Sequence, residues 1–251
     1  MRRVLDWVFT VPFLILLVVA LVVCDPIFRL SRLIGVKAVG YVASVFMWGL
    51  QRLVFPVNGT RTSIEKAPAV LPHTPYIIIS NHQSLYEFPL FGTALFSNIP
   101  GFISKVENGK WYPTVSFYLR NGPNALIDRR DRRGAIRTIT ELGRRSQERG
   151  HSVLIYPEGT RARDGELKEY KKAGTLALMA AAPELAVLPV AVEGGWIAMR
   201  HNFLPVPFGT HMRIRIGAPI ARREGEDREA IIDEARRFAA QALTEWRGVE
   251  A

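Results

Sequence analysis

The chain has 251 residues, with 33 lysine and arginine residues against 23 aspartate and glutamate residues, and a formal net charge of +10. This length suits one α/β domain with an attachment segment, and the charge indicates an anionic partner, either nucleic acid or a membrane surface. No zinc-finger spacing or RNA-binding aromatic signature is present, so no nucleic-acid partner is predicted. The single cysteine, Cys24, excludes a disulfide within the chain, and no metal site is predicted.

An apolar run begins close to the first residue. Residues 7–24 carry no charged side chain over 18 positions, and a helix of this length measures about 27 Å at ~1.5 Å per residue. The hydrocarbon layer of a bilayer is roughly 30 Å thick, so the run predicts a retained membrane helix. A cleaved signal peptide is the alternative, which Arg2 and Arg3 would suit, but no small-x-small cleavage site follows the run.

A second apolar run covers residues 38–50, between Lys37 and Arg52. It is short for a span, so it is predicted to dip into one leaflet or to lie at the membrane interface. We therefore predict a membrane-attachment segment over residues 1–55, as one helix or a helical hairpin, and a folded domain over residues 56–251. The basic residues after the first run favour an inner-membrane protein whose domain faces the cytoplasm, although a monotopic hairpin satisfies the same charges.

After a turn-like stretch over residues 56–75, strand-like and helix-like patterns alternate. Short β-branched runs predict strands over 76–80, 101–105, 124–128, 152–156, 186–192 and 211–216. Helical spacing of apolar residues predicts helices over 85–96, 113–119, 132–149, 172–182 and 226–246. This alternation predicts an α/β fold, with a largely buried mixed sheet flanked by helices.

The first candidate site follows the first predicted strand, where residues 81–87 read NHQSLYE. With His82 in a loop and Glu87 in the first helical turn, the carboxylate can reach the imidazole and make it a general base. The alternative is structural, because Ser84 and Glu87 also have the spacing of a capping box, with Ser84 as the N-cap residue. The two roles are compatible.

Two basic segments come next in the chain. Lys105 ends the strand predicted over 101–105, and Arg129 lies in the sequence IDRRDRR that begins at residue 127. Asp131 is predicted to cap the following helix, and arginines at a helix start are disfavoured by the helix dipole unless an anion lies nearby. Lys105 and Arg129 are therefore candidate phosphate contacts, with a solvated basic surface as the alternative.

The strand predicted over 152–156 leads into YPEGTR at residues 156–161. Ligands of α/β sheets bind at strand ends, where Gly159 lets the backbone approach a ligand and Thr160 and Arg161 can bind a phosphate. An ordinary polar turn is the alternative. In the next strand, residues 187–190 read VLPV, which suits a pocket wall or an edge strand because proline has no N–H for the sheet.

In this order, the motifs resemble those of the glycerophospholipid acyltransferase family, whose best-known members are 1-acylglycerol-3-phosphate acyltransferases. NHQSLYE is similar to the first family motif, an Asn-His pair followed after four residues by an acid. Residues 127–129, YPEGTR and VLPV are similar to the second, third and fourth motifs, and the resemblance covers about residues 76–192. Glu87 stands where the family more often has aspartate, and Tyr156 where phenylalanine is common.

The resemblance implies a membrane-bound O-acyltransferase of phospholipid biosynthesis. His82, polarised by Glu87, would take the proton of the free hydroxyl of lysophosphatidic acid as that oxygen attacks an acyl thioester, giving phosphatidic acid. The thioester would be carried by coenzyme A (acyl-CoA) or by acyl carrier protein (acyl-ACP), and no bound cofactor is expected. The implied partners are membrane lipids, the lysophospholipid acceptor and the acyl donor.

The resemblance also implies roles for the other candidates. Arg129 and Arg161, with Lys105, would hold the phosphate of the acceptor. The glycerol would be oriented by three residues of the third motif: Glu158, Gly159 and Thr160.

Other functions remain open from the sequence. The acceptor could be glycerol 3-phosphate, another lysophospholipid or a lyso-ornithine lipid, because small changes in a pocket wall select headgroups. A lipid hydrolase or thioesterase would use His82 to activate water, although no Gly-x-Ser-x-Gly nucleophile motif is present. A non-catalytic membrane-surface binder would need only the arginines.

Overall fold

The computed structural model describes residues 2–110 and 112–248, and within them it has one seven-stranded sheet with the order β1-β7-β6-β2-β5-β3-β4. Strands β6 and β7 pair antiparallel and every other neighbouring pair is parallel. The predicted fold class, a mixed sheet flanked by helices, is confirmed. The strands are β1 (Arg61–Lys66), β2 (Ile77–Ser80), β3 (Gly101–Lys105), β4 (Ala125–Ile127), β5 (Val153–Ile155), β6 (Val187–Glu193) and β7 (His211–Ile216).

Helices cover both faces of the sheet because its central strands are apolar on both sides. In β2, Ile78 packs with one buried cluster while Ile77 and Ile79 pack with the other. The described helices are α1 (Arg2–Ile34), α2 (Val36–Gly49), α3 (Phe88–Ala94), α4 (Val115–Asn121), α5 (Arg132–Arg149), α6 (Lys172–Ala181), α7 (Gly195–Ala198) and α8 (Arg228–Gly248). The cluster of Ile78 includes side chains from α1 to α4, and the cluster of Ile77 includes side chains from α5, α6 and α8.

The prediction of a turn-like stretch over residues 56–75 is wrong in its middle, because β1 (Arg61–Lys66) lies there. This strand pairs in parallel with β7 alone and forms an edge of the sheet. Its sequence, RTSIEK, is largely polar, and its side chains are exposed or half-buried. An edge strand needs little apolar surface, so the polar sequence gave no strand signal.

Two finer predictions are also corrected. Helix α3 begins at Phe88, so Ser84 is not its N-cap residue, and the Ser84 hydroxyl instead accepts a hydrogen bond from the backbone N–H of Tyr86 at 3.1 Å. Pro189 lies in β6, which pairs with β2 on one side and β7 on the other, so the edge-strand interpretation is wrong. By contrast, Asp131 caps α5 as predicted, accepting the N–H of Gly134 at 2.8 Å.

The N-terminal apolar runs form two helices that meet at Gly35, whose φ is 137°. Phe28 packs against Phe46 near this bend and Phe13 packs against Phe55 far from it, so the two helices lie antiparallel as a hairpin. After α2, a π-helical turn (Leu50–Val54) and a 3-10 turn (Phe55–Asn58) continue the helical segment. By length and composition alone, Arg2–Ile34 and Val36–Asn58 are candidate membrane spans, with mean hydropathies of 2.9 and 1.3.

Candidate functional site

Five of the strands bring their carboxyl ends to one edge of the sheet, because β6, β2, β5, β3 and β4 are neighbours in parallel register. Each candidate motif lies at or just after one of these ends. His82 follows β2, Lys105 ends β3, Arg129 follows β4, and Glu158 follows β5. The edge where ligands of α/β proteins bind therefore carries the residues that sequence reasoning selected.

His82 and Glu87 form a buried pair at the centre of this edge. Nδ1 of His82 is hydrogen-bonded to Oε1 of Glu87, whose side chain is fully buried. The second carboxylate oxygen accepts the backbone N–H groups of Gln83 at 3.2 Å and Ser84 at 3.3 Å. Because three groups meet at one carboxylate, the loop between β2 and α3 is folded around Glu87. With Nδ1 engaged, Nε2 is the imidazole nitrogen that remains to accept a proton.

The imidazole of His82 is further held by neighbours from other strands. The ring of Tyr156 stacks on it with centroids 4.0 Å apart and planes inclined by 14°. The backbone N–H of His82 donates to Oε1 of Glu158 at 2.9 Å, and its carbonyl accepts the N–H of Ala162 at 2.7 Å. The first and third motifs are thus joined directly, which follows from the pairing of β2 with β5.

Asn81 joins the first motif to the strand of the fourth. Its side-chain amide donates to the carbonyl of Val192 at 2.9 Å and accepts the N–H of the same residue at 2.8 Å. A primary amide offers one donor and one acceptor side by side, so it matches a peptide group as a strand would. Asn81 therefore extends the pairing of β2 with β6 and fixes where the backbone turns toward His82.

Glu158 is a buried acid with one oxygen unused. Its side chain is 2% exposed, and Oε2 has no hydrogen-bond partner among the described residues. Burial is the largest influence on the pKa of Glu158 and raises it to about 7. The hydrogen bond from the N–H of His82 lowers this pKa, and the nearby negative charge of Glu87 raises it. An acid of this kind is neutral or charged near physiological pH, and its free oxygen can accept or donate one hydrogen bond to a ligand.

The structure brings two of the predicted cations together. Burial and then the positive charge of Arg161 lower the pKa of Arg129. Burial and then the charge of Arg163 lower the pKa of Arg161, while the charge of Glu87 raises it. Because arginines held close together repel one another, an anion bound between them would be stabilised. Arg161 also contacts Met199 Sδ at 3.4 Å and the ring of Phe203 at 5.4 Å.

The remaining candidates are Lys105, Gly159 and Thr160. Lys105 is exposed at the end of β3, beside Ile127 of β4 in register. Gly159 has a φ of +71°, a conformation that favours glycine, and Thr160 is exposed, with its hydroxyl 3.4 Å from Nζ of Lys168. In the part of the chain that the structure describes, no hydrogen bond or ion pair joins these three residues to His82, so their roles stay predictions.

An open cavity of about 130 Å³ lies next to the first and third motifs. Its lining contains three arginines, two amides, a methionine and an aromatic ring, and no carboxylate: Gln83, Arg161, Arg163, Met199, Arg200, Asn202 and Phe203. Such a lining is complementary to an anionic group with some apolar surface.

Sequence reasoning missed two supporting residues. The side chain of Gln83 donates to Glu193 at 3.0 Å and accepts the N–H of Gly195 at 3.1 Å, which ties the His82 loop to the end of β6. Arg200 also went unselected, because the loop that carries it has no motif spacing. Gln83 lay inside the first motif, but its partner is 110 residues away, so no local pattern shows the contact.

No group of three or more histidine, cysteine, aspartate or glutamate side chains in residues 2–110 and 112–248 is arranged to hold a metal ion.

The sequence matches a known protein family. A family model described as Acyltransferase matches residues 59–193, more than half of the chain. The chain belongs to the acyltransferase family.

Several acyltransferases of known activity are similar in sequence. A 1-acyl-sn-glycerol-3-phosphate acyltransferase from Pseudomonas aeruginosa is 30% identical over 164 residues, which are 65% of this chain and 60% of that protein. A lyso-ornithine lipid O-acyltransferase from the same organism is 28% identical over 181 residues, 66% of this chain and 67% of that protein. The match to a 1-acyl-sn-glycerol-3-phosphate acyltransferase from Cocos nucifera, 30% identical, covers 62% of this chain and only 48% of that protein.

A crystal structure of another acyltransferase has the same fold. The 1-acyl-sn-glycerophosphate acyltransferase from Thermotoga maritima superposes with a TM-score of 0.77 over 98% of each chain, at 20% sequence identity. At this identity the likeness establishes the architecture, including the helices before the sheet, and leaves the substrate to be argued from the site.

Proposed function

We propose that this acyltransferase is membrane-bound and moves a fatty acyl group from a thioester to the free hydroxyl of lysophosphatidic acid, forming phosphatidic acid. The donor is acyl-CoA or acyl-ACP. The observation that carries the proposal is the buried pair of His82 and Glu87 beside the clustered arginines at the carboxyl edge of the sheet. A base next to a phosphate-binding surface is what acyl transfer to a phosphorylated glycerol requires.

The proposed reaction uses both nitrogens of the imidazole. Nε2 of His82 takes the proton of the acceptor hydroxyl while that oxygen bonds to the thioester carbonyl carbon. The carbon–sulfur bond then breaks, and the proton on the imidazolium passes to the departing thiolate. Glu87 holds Nδ1–H throughout and stabilises the imidazolium, so the pair completes one cycle unchanged.

The charge of the cavity favours a phosphate-bearing acceptor. Arg129 and Arg161 are proposed to bind the phosphomonoester, with Lys105 nearby, while Glu158, Gly159 and Thr160 orient the glycerol. The lining of the cavity holds three arginines and no carboxylate. A lyso-ornithine or phosphocholine headgroup is zwitterionic, so it carries less net negative charge than a phosphomonoester and gains less from these arginines. The charge of the cavity therefore favours lysophosphatidic acid over a lyso-ornithine lipid as the acceptor.

The exposed face of α1 supports membrane attachment. Large apolar side chains point outward along its whole length, including Val8 (58% exposed), Ile15 (60%), Val22 (55%) and Leu30 (63%). An exposed apolar surface of this extent indicates contact with lipid or another protein. With the lipid acceptor and product both membrane components, the proposal is that α1 lies against the cytoplasmic leaflet of the inner membrane.

The proposal is tested with purified protein in detergent, offering acyl-CoA and acyl-ACP against lysophosphatidic acid, lyso-ornithine lipid, lysophosphatidylcholine and glycerol 3-phosphate, with products identified by mass spectrometry. We expect phosphatidic acid as the main product. The variant His82→Ala should lose on the order of 10²–10⁴ in turnover, because it removes the general base. Glu87→Gln should also lose turnover, because an amide cannot stabilise the imidazolium.

Thermal unfolding of the same variants separates catalysis from structure. Near-normal turnover of His82→Ala would remove the imidazole from the mechanism. If Glu87→Gln lowers only the unfolding temperature, its carboxylate serves the loop between β2 and α3 and not the base. Preferential use of lyso-ornithine lipid would contradict the argument from the charge of the cavity.

A further inference from the structure

A second cationic cluster lies at the opposite edge of the sheet, beside the bend between α1 and α2. Lys37 is in the first turn of α2, Arg145 and Arg149 are in the last two turns of α5, and His151 lies two residues before β5. Burial and then the charges of Arg145, Arg149 and Lys37 lower the pKa of His151 to about 4. The three cations therefore act on one point, although Lys37 is more than 100 positions from Arg145 and Arg149 in the chain.

Among the described residues, one acid, Glu141, forms an ion pair with this cluster. Within residues 2–110 and 112–248, neither Lys37 nor Arg149 forms an ion pair with an acid within 4.0 Å. Nε of Arg145 lies 3.7 Å from Glu141, is buried, and has no hydrogen-bond partner in the described chain. Glu141 itself is held by two hydrogen bonds from Arg144, at 3.2 and 2.8 Å. The cluster keeps a net positive charge with unused donors.

The surroundings suit an anion that carries hydrocarbon. A small open cavity is lined by Arg145, Arg149 and His151 together with Val36, the first residue of α2. Helix α2 starts without a side-chain cap and without an acid in its first turn, so its N–H groups and dipole add to the positive potential. On the outer side of the bend, Leu33 and Ile34 are each 84% exposed.

We propose that Lys37, Arg145 and Arg149 form a binding site for the phosphate of an anionic phospholipid, whose acyl chains lie over Leu33 and Ile34. The charge complementarity selects the phosphate, and the two apolar side chains select a lipid over a free ion. This site is separate from the edge that carries the carboxyl ends of the strands, because His151 precedes β5 whereas Glu158 follows it. The helix pair would then be attached to the membrane at both ends of α1.

The test measures binding of the full chain to vesicles by flotation. The triple variant Lys37→Gln, Arg145→Gln, Arg149→Gln is compared with a control that removes the same charge from exposed residues elsewhere: Arg223→Gln, Arg228→Gln and Arg237→Gln. One basic residue at an anionic membrane is worth about fivefold in binding. We expect a loss on the order of 100-fold for the first variant on vesicles containing phosphatidylglycerol, and a much smaller loss for the control.

Equal losses in both variants would show that the attraction is diffuse and would overturn the site, as would unchanged binding of the first variant. Soluble short-chain phosphatidylglycerol and inorganic phosphate are then compared as competitors. Competition by the lipid alone supports the proposal, and equal competition by inorganic phosphate overturns the lipid assignment. Should the triple variant fail to fold, Arg149→Gln alone, at an exposed position, is expected to weaken binding about fivefold.

Discussion

At the scale of single residues, Glu87 combines two functions that the sequence presented as alternatives. Its carboxylate contacts Nδ1 of His82 and also accepts the N–H groups of Gln83 and Ser84. The loop that carries the imidazole is thus folded around the same group that would stabilise its charged form. One consequence is that the position of the ring and the stabilisation of its charged form depend on the same carboxylate, so a change at Glu87 alters both.

Glu158 gives a prediction about pH. Its pKa is raised from 4.5 to about 7, chiefly by burial. Below pH 4.5 the carboxyl is protonated in both the folded and unfolded states, and above pH 7 it is ionised in both, at a cost paid only in the folded protein. Stability should therefore fall as the pH rises between these values, by up to about 3 kcal/mol at roughly 1.4 kcal/mol per pKa unit.

The variant Glu158→Gln tests this, because glutamine keeps an oxygen for the N–H of His82 and cannot ionise. Denaturant unfolding at pH 8 should show the variant to be more stable than the parent protein, with little difference at pH 4. A gain of equal size at both pH values would show that the cause is packing and not ionisation.

At the scale of elements, the capping of α5 gives a prediction about stability. Asp131 accepts the N–H of Gly134, and this helix packs through Ile139 and Leu142 against the sheet. The variant Asp131→Ala should lower the free energy of unfolding by about 1 kcal/mol, because it removes the cap. Asp131→Asn keeps a side-chain oxygen and should change it by only a few tenths of that amount.

Denaturant unfolding of both variants measures the difference. If asparagine and alanine are equally damaging, the charge of Asp131 among the neighbouring arginines matters more than the hydrogen bond.

The elements that sequence patterns predicted well are those with a buried apolar face. Strand β7 and helix α5 have the predicted bounds, since their residues alternate or repeat according to burial. Strand β1 was missed because its side chains stay in water, and α3 begins three residues later than predicted because Glu87 holds the preceding loop open. Local patterns report burial and cannot report such a competing tertiary contact.

The candidate site divides in the same way. His82 and Glu87 lie five positions apart, so their pairing could be inferred from the chain alone. The hydrogen bond from His82 to Glu158 spans 76 positions and depends on β2 lying next to β5, which no spacing in the sequence specifies. The cavity arginine Arg200 depends on a loop whose path only the structure gives.

At the scale of the whole molecule, the outward face of α1 gives a prediction about membrane attachment. The variant Ile15→Glu, Val22→Glu places two charges on that face, at positions 60% and 55% exposed, without entering the core. We expect at least about tenfold weaker partition into membranes, since each site loses apolar contact worth roughly 1.5–3 kcal/mol and gains a charge. Activity on detergent-dispersed substrate should be retained.

Cell fractionation and assay of the solubilised protein provide the measurement. Leu71→Glu, at an apolar position 58% exposed outside α1, is the control and should stay in the membrane fraction. Equal release of both variants would show that attachment does not depend on this face of α1.

The inner face of α1 packs against the rest of the protein, whereas its outer face is exposed. Thr10 exchanges hydrogen bonds with the backbone of Val206, and Asp6 accepts the N–H of Phe208. Phe13 and Phe28 are each 1% exposed within the main apolar cluster. Deleting α1 to obtain a water-soluble protein would therefore remove two buried aromatic side chains from the core. It would also leave the backbone groups of Val206 and Phe208 without their hydrogen-bond partners. Solubility is better sought by substituting polar residues for the exposed apolar residues of α1 while its buried residues are kept.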